Sequence, residues 1–243
     1  MDTIVIACSI FRKELEKVAS QGQCAYPMKF FEFDLHKSPE YLRNKIQNEI
    51  IAFEEKSTDA HPTIILGYGL CGRALNGVHA KRSTLVLPRV HDCIPMIMGL
   101  GQSQANATSF SRDGATLWSS QGMLEYTLVP FYLHPEIRRA VYVEKFGEKK
   151  AEKMMKAESH LLDAYKSLCH IKWEGEDPCW VRQAQDVARA TNLPYTEIMG
   201  NTSYVHDLVL DNADEARFLH LDPGQTLDMD VDGTIIAAEY KES

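Results

Sequence analysis

The sequence is sparing with cysteine and lacks the usual cysteine patterns. Six cysteines are spread over 243 residues, at positions 8, 24, 71, 93, 169 and 179. That density does not build a disulfide scaffold, and no two of them stand as CxxC, which argues against a zinc ribbon or a thioredoxin-like motif. The expected compartment is therefore reducing, and each thiol is there for packing, catalysis or metal binding. No apolar run approaches the ~20 residues of a membrane helix. Concentrated positive charge is also missing: the formal net charge is −8, and a basic patch such as Lys149-Lys150 sits on a helical stretch beside acidic residues. The footprint of a nucleic-acid binder is thus absent. The chain opens on Met1-Asp2 and passes straight into a β-branched run, which is not the pattern of a signal peptide. A cytoplasmic protein without membrane or nucleic-acid partners is the expectation. There is no convincing internal repeat, low-complexity segment or flexible linker.

What is present reads as an ordinary globular domain, 44% hydrophobic and 25% charged, long enough for one large domain or two small ones. Short β-branched or apolar runs at 3–8, 28–33, 63–66, 83–87 and 115–118 read as strands. Between them, residues 11–20 place Phe11, Leu15 and Val18 at helical spacing. Ser38 and Pro39 open a second helix, to about residue 55, with Leu42, Ile46, Ile50 and Phe53 on its apolar face. Residues 74–80 and 94–100 suggest shorter helices, 102–114 a polar loop, and 123–129 a helix. From Pro135 the pattern is strongly helical, with helices over 135–146, 148–171, 178–191 and 202–210 and a strand over 194–199. Short strands at 217–221, 226–231 and 234–238 close the chain around two turns. The fold class is α/β: a mainly parallel, Rossmann-like sheet with flanking helices over residues 1–130, then a helix-rich second lobe over 131–243.

Two stretches stand out, Gly67-Tyr68-Gly69-Leu70-Cys71-Gly72 and Pro88-Arg89-Val90-His91-Asp92-Cys93. Each follows a strand-like run. In a parallel sheet both would emerge at the C-terminal edge, where open α/β sheets bind ligands. Thiolate and imidazole are the usual zinc ligands, and three protein ligands with one open position is the catalytic pattern. His91 and Cys93, two apart in an extended segment, would point the same way. Cys71 completes a trio, and Cys8 or His36, also past strand ends, offers a fourth ligand. Arg89 is placed to clamp an anionic group, Asp92 to orient His91, and Tyr68 to line the pocket. Gly67, Gly69 and Gly72 would let backbone amides approach the substrate, although their spacing is neither G-x-G-x-x-G nor a Walker sequence. Each residue has a plainer reading: Cys8 as packing, His36 as support for the next helix, Arg89 as a surface ion pair, Asp92 as a helix cap, Tyr68 and Trp118 as core. Cys24, Cys169 and Cys179 read as structural.

The two loops, with Ile6-Ala7-Cys8, Leu35-His36 and the turn after Trp118, resemble the signature of an uncharacterised family known as a domain of unknown function. Its members are often found beside corrinoid-dependent methyltransferases. The resemblance implies that Cys71, His91 and Cys93 are site residues, and it names no reaction. The expectation is a metalloenzyme, a transferase or lyase, using zinc or another divalent metal on a small anionic, sulfur- or amino-acid-like substrate. The alternatives are a non-catalytic metal- or corrinoid-binding accessory protein that docks on a methyltransferase or corrinoid protein, and metal-free catalysis by two cysteines.

Overall fold

The computed structural model describes residues 2–33, 35, 38–101, 115–230 and 233–241. His36 and the polar stretch 102–114 lie outside that set. The chain forms two compact units, Met1–Ala105 with Thr202–Ser243, and Asn106–Asn201. The boundary read at residue 130 falls inside the second unit.

In the first unit, β1 (Thr3–Cys8), β2 (Met28–Phe31), β3 (Thr63–Gly67), β4 (Thr84–Pro88) and β8 (Phe218–Leu221) make one sheet in the order β2-β1-β3-β4-β8. The first four strands run parallel, and β8 lies antiparallel on β4. The central strands are continuous apolar runs because the sheet is covered on both faces. Val5, Ile6, Ala7, Ile64, Ile65, Leu66, Leu85, Val86 and Leu87 are all buried. A 3-10 turn, Ser9–Phe11, leads from β1 into α1 (Arg12–Ser20), which buries Leu15 and Val18. In α2 (Pro39–Lys56), Ser38 is the N-cap residue and Pro39 opens the first turn, as the sequence indicates. Leu42, Ile46 and Ile50 are buried; so is Glu54, which no apolar pattern foretells. Next comes α3 (Cys93–Met98), stopped by Gly99 in the left-handed region at φ 75°. The helix α8 (Ser203–Leu210) packs on α1, α3 and β3. An antiparallel ribbon, β9 (Gln225–Met229) and β10 (Ile235–Glu239), follows β8, and Thr226 of β9 bridges to His79.

The second unit is itself α/β. Its strands β5 (Thr116–Ser119), β6 (Ser167–Lys172) and β7 (Tyr195–Met199) are parallel and adjacent in that order. Around them lie a helical turn Gln121–Met123 continuing as a π-helix Leu124–Leu133 (together α4), α5 (Pro135–Phe146), α6 (Glu148–Leu162) and α7 (Pro178–Thr191). Pro130 sits inside the π-helix, where its missing N–H cannot serve an ordinary helical ladder.

Two sequence expectations are corrected. The helix read over 148–171 stops at Leu162, and its last residues are strand β6, with Leu168, Cys169, His170 and Ile171 buried in succession. A short apolar run buried on both faces has no period to distinguish it from helix core. The Lys166 N–H, donating to the Ala115 carbonyl at 2.7 Å, starts the pairing. Cys169 therefore belongs to a central strand. Residues 74–80 are not a helix but a chain of tight turns, Ala74 to Cys71, Asn76 to Arg73 and Val78 to Leu75, with Gly77 at φ 83°. Among the described residues no helix is long and apolar enough to cross a membrane.

The strand order positions the site. From β1 the chain steps to β2 on one side, then to β3 and β4 on the other. The direction of winding reverses between β1 and β3, and the crevice beyond their C-terminal ends is the topological switch point of the sheet.

Candidate functional site

Three segments reach that crevice. Cys8 is the last residue of β1 and is buried. Gly67, the last residue of β3, pairs with Ala7 in register. A Cβ on Gly67 would stand 2.6 Å from the Ala7 Cβ, so only glycine lets the two strand ends approach this closely. Beyond it, the loops after β3 and β4 run as a pair. The Leu70 N–H donates to the Val90 carbonyl and the Cys71 N–H to the His91 carbonyl, both at 2.9 Å. A Cβ on Gly69 would fall 2.7 Å from the Asp92 carbonyl carbon and oxygen. Backbone lies directly on backbone there.

Cys71, Gly72 and Arg73 then take φ values of 47°, 65° and 68°, three left-handed residues in succession. Each non-glycine in that region costs roughly 1–2 kcal/mol. The turn is held from α2: the Arg43 Nη2 donates to the Arg73 carbonyl at 2.9 Å and its Nε to the Ala74 carbonyl at 3.3 Å. No local sequence signal points to Arg43, which lies about thirty residues from its acceptors.

Asp92 caps α3, its Oδ1 accepting the Ile94 N–H at 2.8 Å, and Cys93 is the first helical residue. Asp92 itself is extended, at φ −147° and ψ −177°, and the helix begins directly behind it. His91 is exposed on the rim, whereas Cys71 and Cys93 are half-buried. The three thiols Cys8, Cys71 and Cys93 lie within charge reach of one another. Burial is the main reason their acidities fall. It pushes Cys8 up to about 12, against opposing contacts from Ile10 and Ser9. Cys71 is also pushed up to about 12, first by burial and then by Cys8 and Asp92. Cys93 lies well above the ordinary thiol value for the same reasons, with Cys71, Asp92 and Cys8 as its neighbours. Asp92 is raised by burial against its capping bond and His91, so His91 acts on Asp92.

Tyr68 belongs to the same cluster. The residue is 3% exposed, it lies close enough to Cys8 and Cys71 to interact with them electrostatically, and its hydroxyl has no hydrogen-bond partner among the described residues. Arg89 is committed elsewhere. Its Nη1 donates to the Ile235 carbonyl of β10, and its N–H donates to the Arg217 carbonyl at 2.8 Å. The structure thus brings together Cys8, Cys71, Cys93, Tyr68 and Asp92, framed by Gly67 and Gly69. It places His91 at the rim and Arg89 against the ribbon, while His36 lies outside the described residues. Among the described residues no three His, Cys, Asp or Glu side chains stand ready-placed as a metal shell.

A second polar cluster escaped the sequence reading. At the end of β5, Ser119 Oγ lies 2.9 Å from His170 Nδ1 on β6, and His170 Nε2 lies 3.2 Å from Glu176 Oε2. Serine, histidine and carboxylate are the residue types of a hydrolytic relay. Here the hydroxyl has no opening: Ser119 is 0% exposed, and the His170 and Glu176 side chains are 0% and 1% exposed. The strand that carries His170 was read as helix, which hid the pairing.

The molecule is thus an α/β protein with three cysteines close to one another at the switch point of its larger sheet. The chain belongs to the family described as "Protein of unknown function (DUF1638)", whose model matches residues 30–209. No curated protein and no solved structure matches it.

Proposed function

We propose that the protein is a metal-dependent enzyme acting on a small anionic or sulfur-containing, amino-acid-like molecule at the switch-point pocket. The observation that supports this is the convergence of Cys8, Cys71 and Cys93 from three separate strand ends. Their chemistry fits a thiophilic divalent ion, with zinc foremost, and three sulfurs leave a fourth position for substrate. When bound, such an ion supplies Lewis acidity and lowers the pKa of a bound thiol or water.

The chain's own residues do the rest. Cys8, Cys71 and Cys93 would hold the ion as thiolates, giving up their protons to do so. Arg43 and the paired glycine loops hold Cys71 in place. Asp92 fixes the start of α3 and with it Cys93. His91 stands exposed beside Asp92, outside the sulfur set. Transfer to or from a sulfur atom is the reaction class this donor set suits best.

The deciding measurement is metal analysis of the protein as purified from zinc-supplemented growth. The expected result is one equivalent in the wild type and near-complete loss in Cys71→Ser and Cys93→Ser, with Cys8→Ser following them. Full metal in those variants overturns the ligand set, and a metal-free wild type overturns the metalloenzyme. The second reading, two-thiol catalysis without metal, then takes its place; Cys71 and Cys93, the two partly open thiols of the pocket, are the pair that favours it.

A further inference from the structure

Among the described residues around the three thiols, Tyr68 has a buried polar atom that is left over. A buried donor without an acceptor costs free energy that a fold avoids unless something else supplies the acceptor. Among the described residues the hydroxyl has no hydrogen-bond partner although the residue is 3% exposed. Its position is also fixed. The residue lies between Gly67 and Gly69, and at both of these any Cβ would collide with neighbouring atoms, at 2.6 Å and 2.7 Å. The backbone that carries the ring is therefore pinned on both sides, and the hydroxyl is a pre-placed donor rather than a mobile one.

A phenol is a better donor than acceptor, because its lone pair is drawn into the ring. The thiols beside it are weak acceptors. The complement of this hydroxyl is an oxygen, and an anionic one makes the stronger bond. A small ligand that carries both a sulfur and a carboxylate would match the thiols at one end and the hydroxyl at the other.

We propose that Tyr68 selects the substrate by donating a hydrogen bond to its carboxylate, so that the pocket takes small mercapto acids in preference to other thiols. The selection rests on the proposed function above, since the sulfur end must reach the Cys8, Cys71 and Cys93 site. It assigns the other end of the ligand, and with it the substrate class.

Calorimetric titration of the full chain as purified, wild type and Tyr68→Phe, with mercaptoacetate, ethanethiol and cysteamine tests this. All three are two-carbon thiols, and they differ in bearing a carboxylate, nothing, or an amine. The wild type is expected to bind mercaptoacetate tightest. Tyr68→Phe is expected to weaken mercaptoacetate alone, by roughly 10- to 100-fold, the worth of a hydrogen bond to a charged acceptor. The ligand-free variant should melt at the wild-type temperature or above it, since no internal bond is lost. Equal weakening of all three thiols, no weakening, no mercaptoacetate binding by the wild type, or a clear fall in melting temperature each overturns the proposal. Metal content measured on the same samples separates the two claims. Full metal with no carboxylate preference sinks only the role of Tyr68, and carboxylate preference without metal sinks only the metalloenzyme.

Discussion

Ser119, His170 and Glu176 hold one another in a closed chain, whereas Tyr68, Cys8, Cys71 and Cys93 lie close together without satisfying one another. In the first cluster the ring nitrogens of His170 both have partners, at 2.9 and 3.2 Å, and no side chain reaches solvent. In the second a phenol has no hydrogen-bond partner among the described residues, burial pushes three thiols toward the neutral form, and two of them are partly open. Residue types alone would rank the two clusters the other way, since serine, histidine and glutamate look more like a catalytic set than three cysteines. The difference teaches that an unfinished set of interactions marks a site better than a reactive set of residues. Buried polar groups that complete one another stabilise a fold. Those left incomplete are candidates for completion by a bound group.

The comparison breaks first at His170. If the chain from Ser119 to Glu176 is structural, His170→Ala strands a hydroxyl and a carboxylate in the interior of the second unit. That should cost about 3–5 kcal/mol, read as a large drop in denaturant midpoint or melting temperature. Metal content per folded molecule should stay at the wild-type level. A stable His170→Ala protein that has lost the chemistry of the thiol pocket would reverse the assignment of the two clusters.

Glu54 sharpens the same contrast inside the first unit. Its carboxylate accepts the N–H groups of Lys81, Arg82 and Ser83 at 3.2, 2.7 and 2.8 Å, and the Ser83 hydroxyl at 2.9 Å. This ties α2 to the start of β4 and is as complete as the His170 chain. Burial raises the Glu54 pKa, but those four donors outweigh it, and the net shift is below the ordinary value of 4.5. A depressed folded-state pKa means the stabilisation is full above the unfolded value and is lost as pH falls through the folded one. Glu54→Gln should therefore cost about 2–3 kcal/mol at neutral pH. It should lose little more on acidification below pH 4.5, so the wild-type and variant stability curves converge there. Parallel curves across that range would show that the charge of Glu54 does not carry the contact.

Much of this architecture was legible before any coordinates. The strands at the switch point are unbroken apolar runs, and Ser38-Pro39 announces α2, because burial on both faces and helix capping leave local marks. The two loops that supply Tyr68, Cys71 and Cys93 were legible for the same reason: each follows such a strand. What stayed hidden depends on backbone meeting backbone or on contacts far apart in sequence. Gly69 lying on Asp92, Arg43 holding the Arg73 carbonyl and β4 closing against β8 leave no periodic trace. Burial is equally hidden: Asp92 is extended, yet His91 on one side of it is exposed and Cys93 on the other is half-buried at the start of a helix. His170 sat in an apolar run that passes for the end of a helix.

The smallest effect bears on how the incomplete site is held. Arg73 sits at φ 68° as the third residue of a left-handed turn, and what its neighbours use is its carbonyl, which accepts from Arg43 and from the Asn76 N–H. Arg73→Gly keeps that carbonyl and removes the Cβ that the left-handed region penalises. Glycine also gains freedom in the unfolded chain, which offsets part of the relief. The balance should be a gain of about 0.5–1 kcal/mol, a rise of a few degrees in melting temperature, with metal content unchanged. Arg73→Val, β-branched at the same φ, should move the other way and loosen Cys71 with it. If both substitutions lower stability equally, the guanidinium and not the backbone is what the turn requires, and the left-handed run is not the strained support of Cys71.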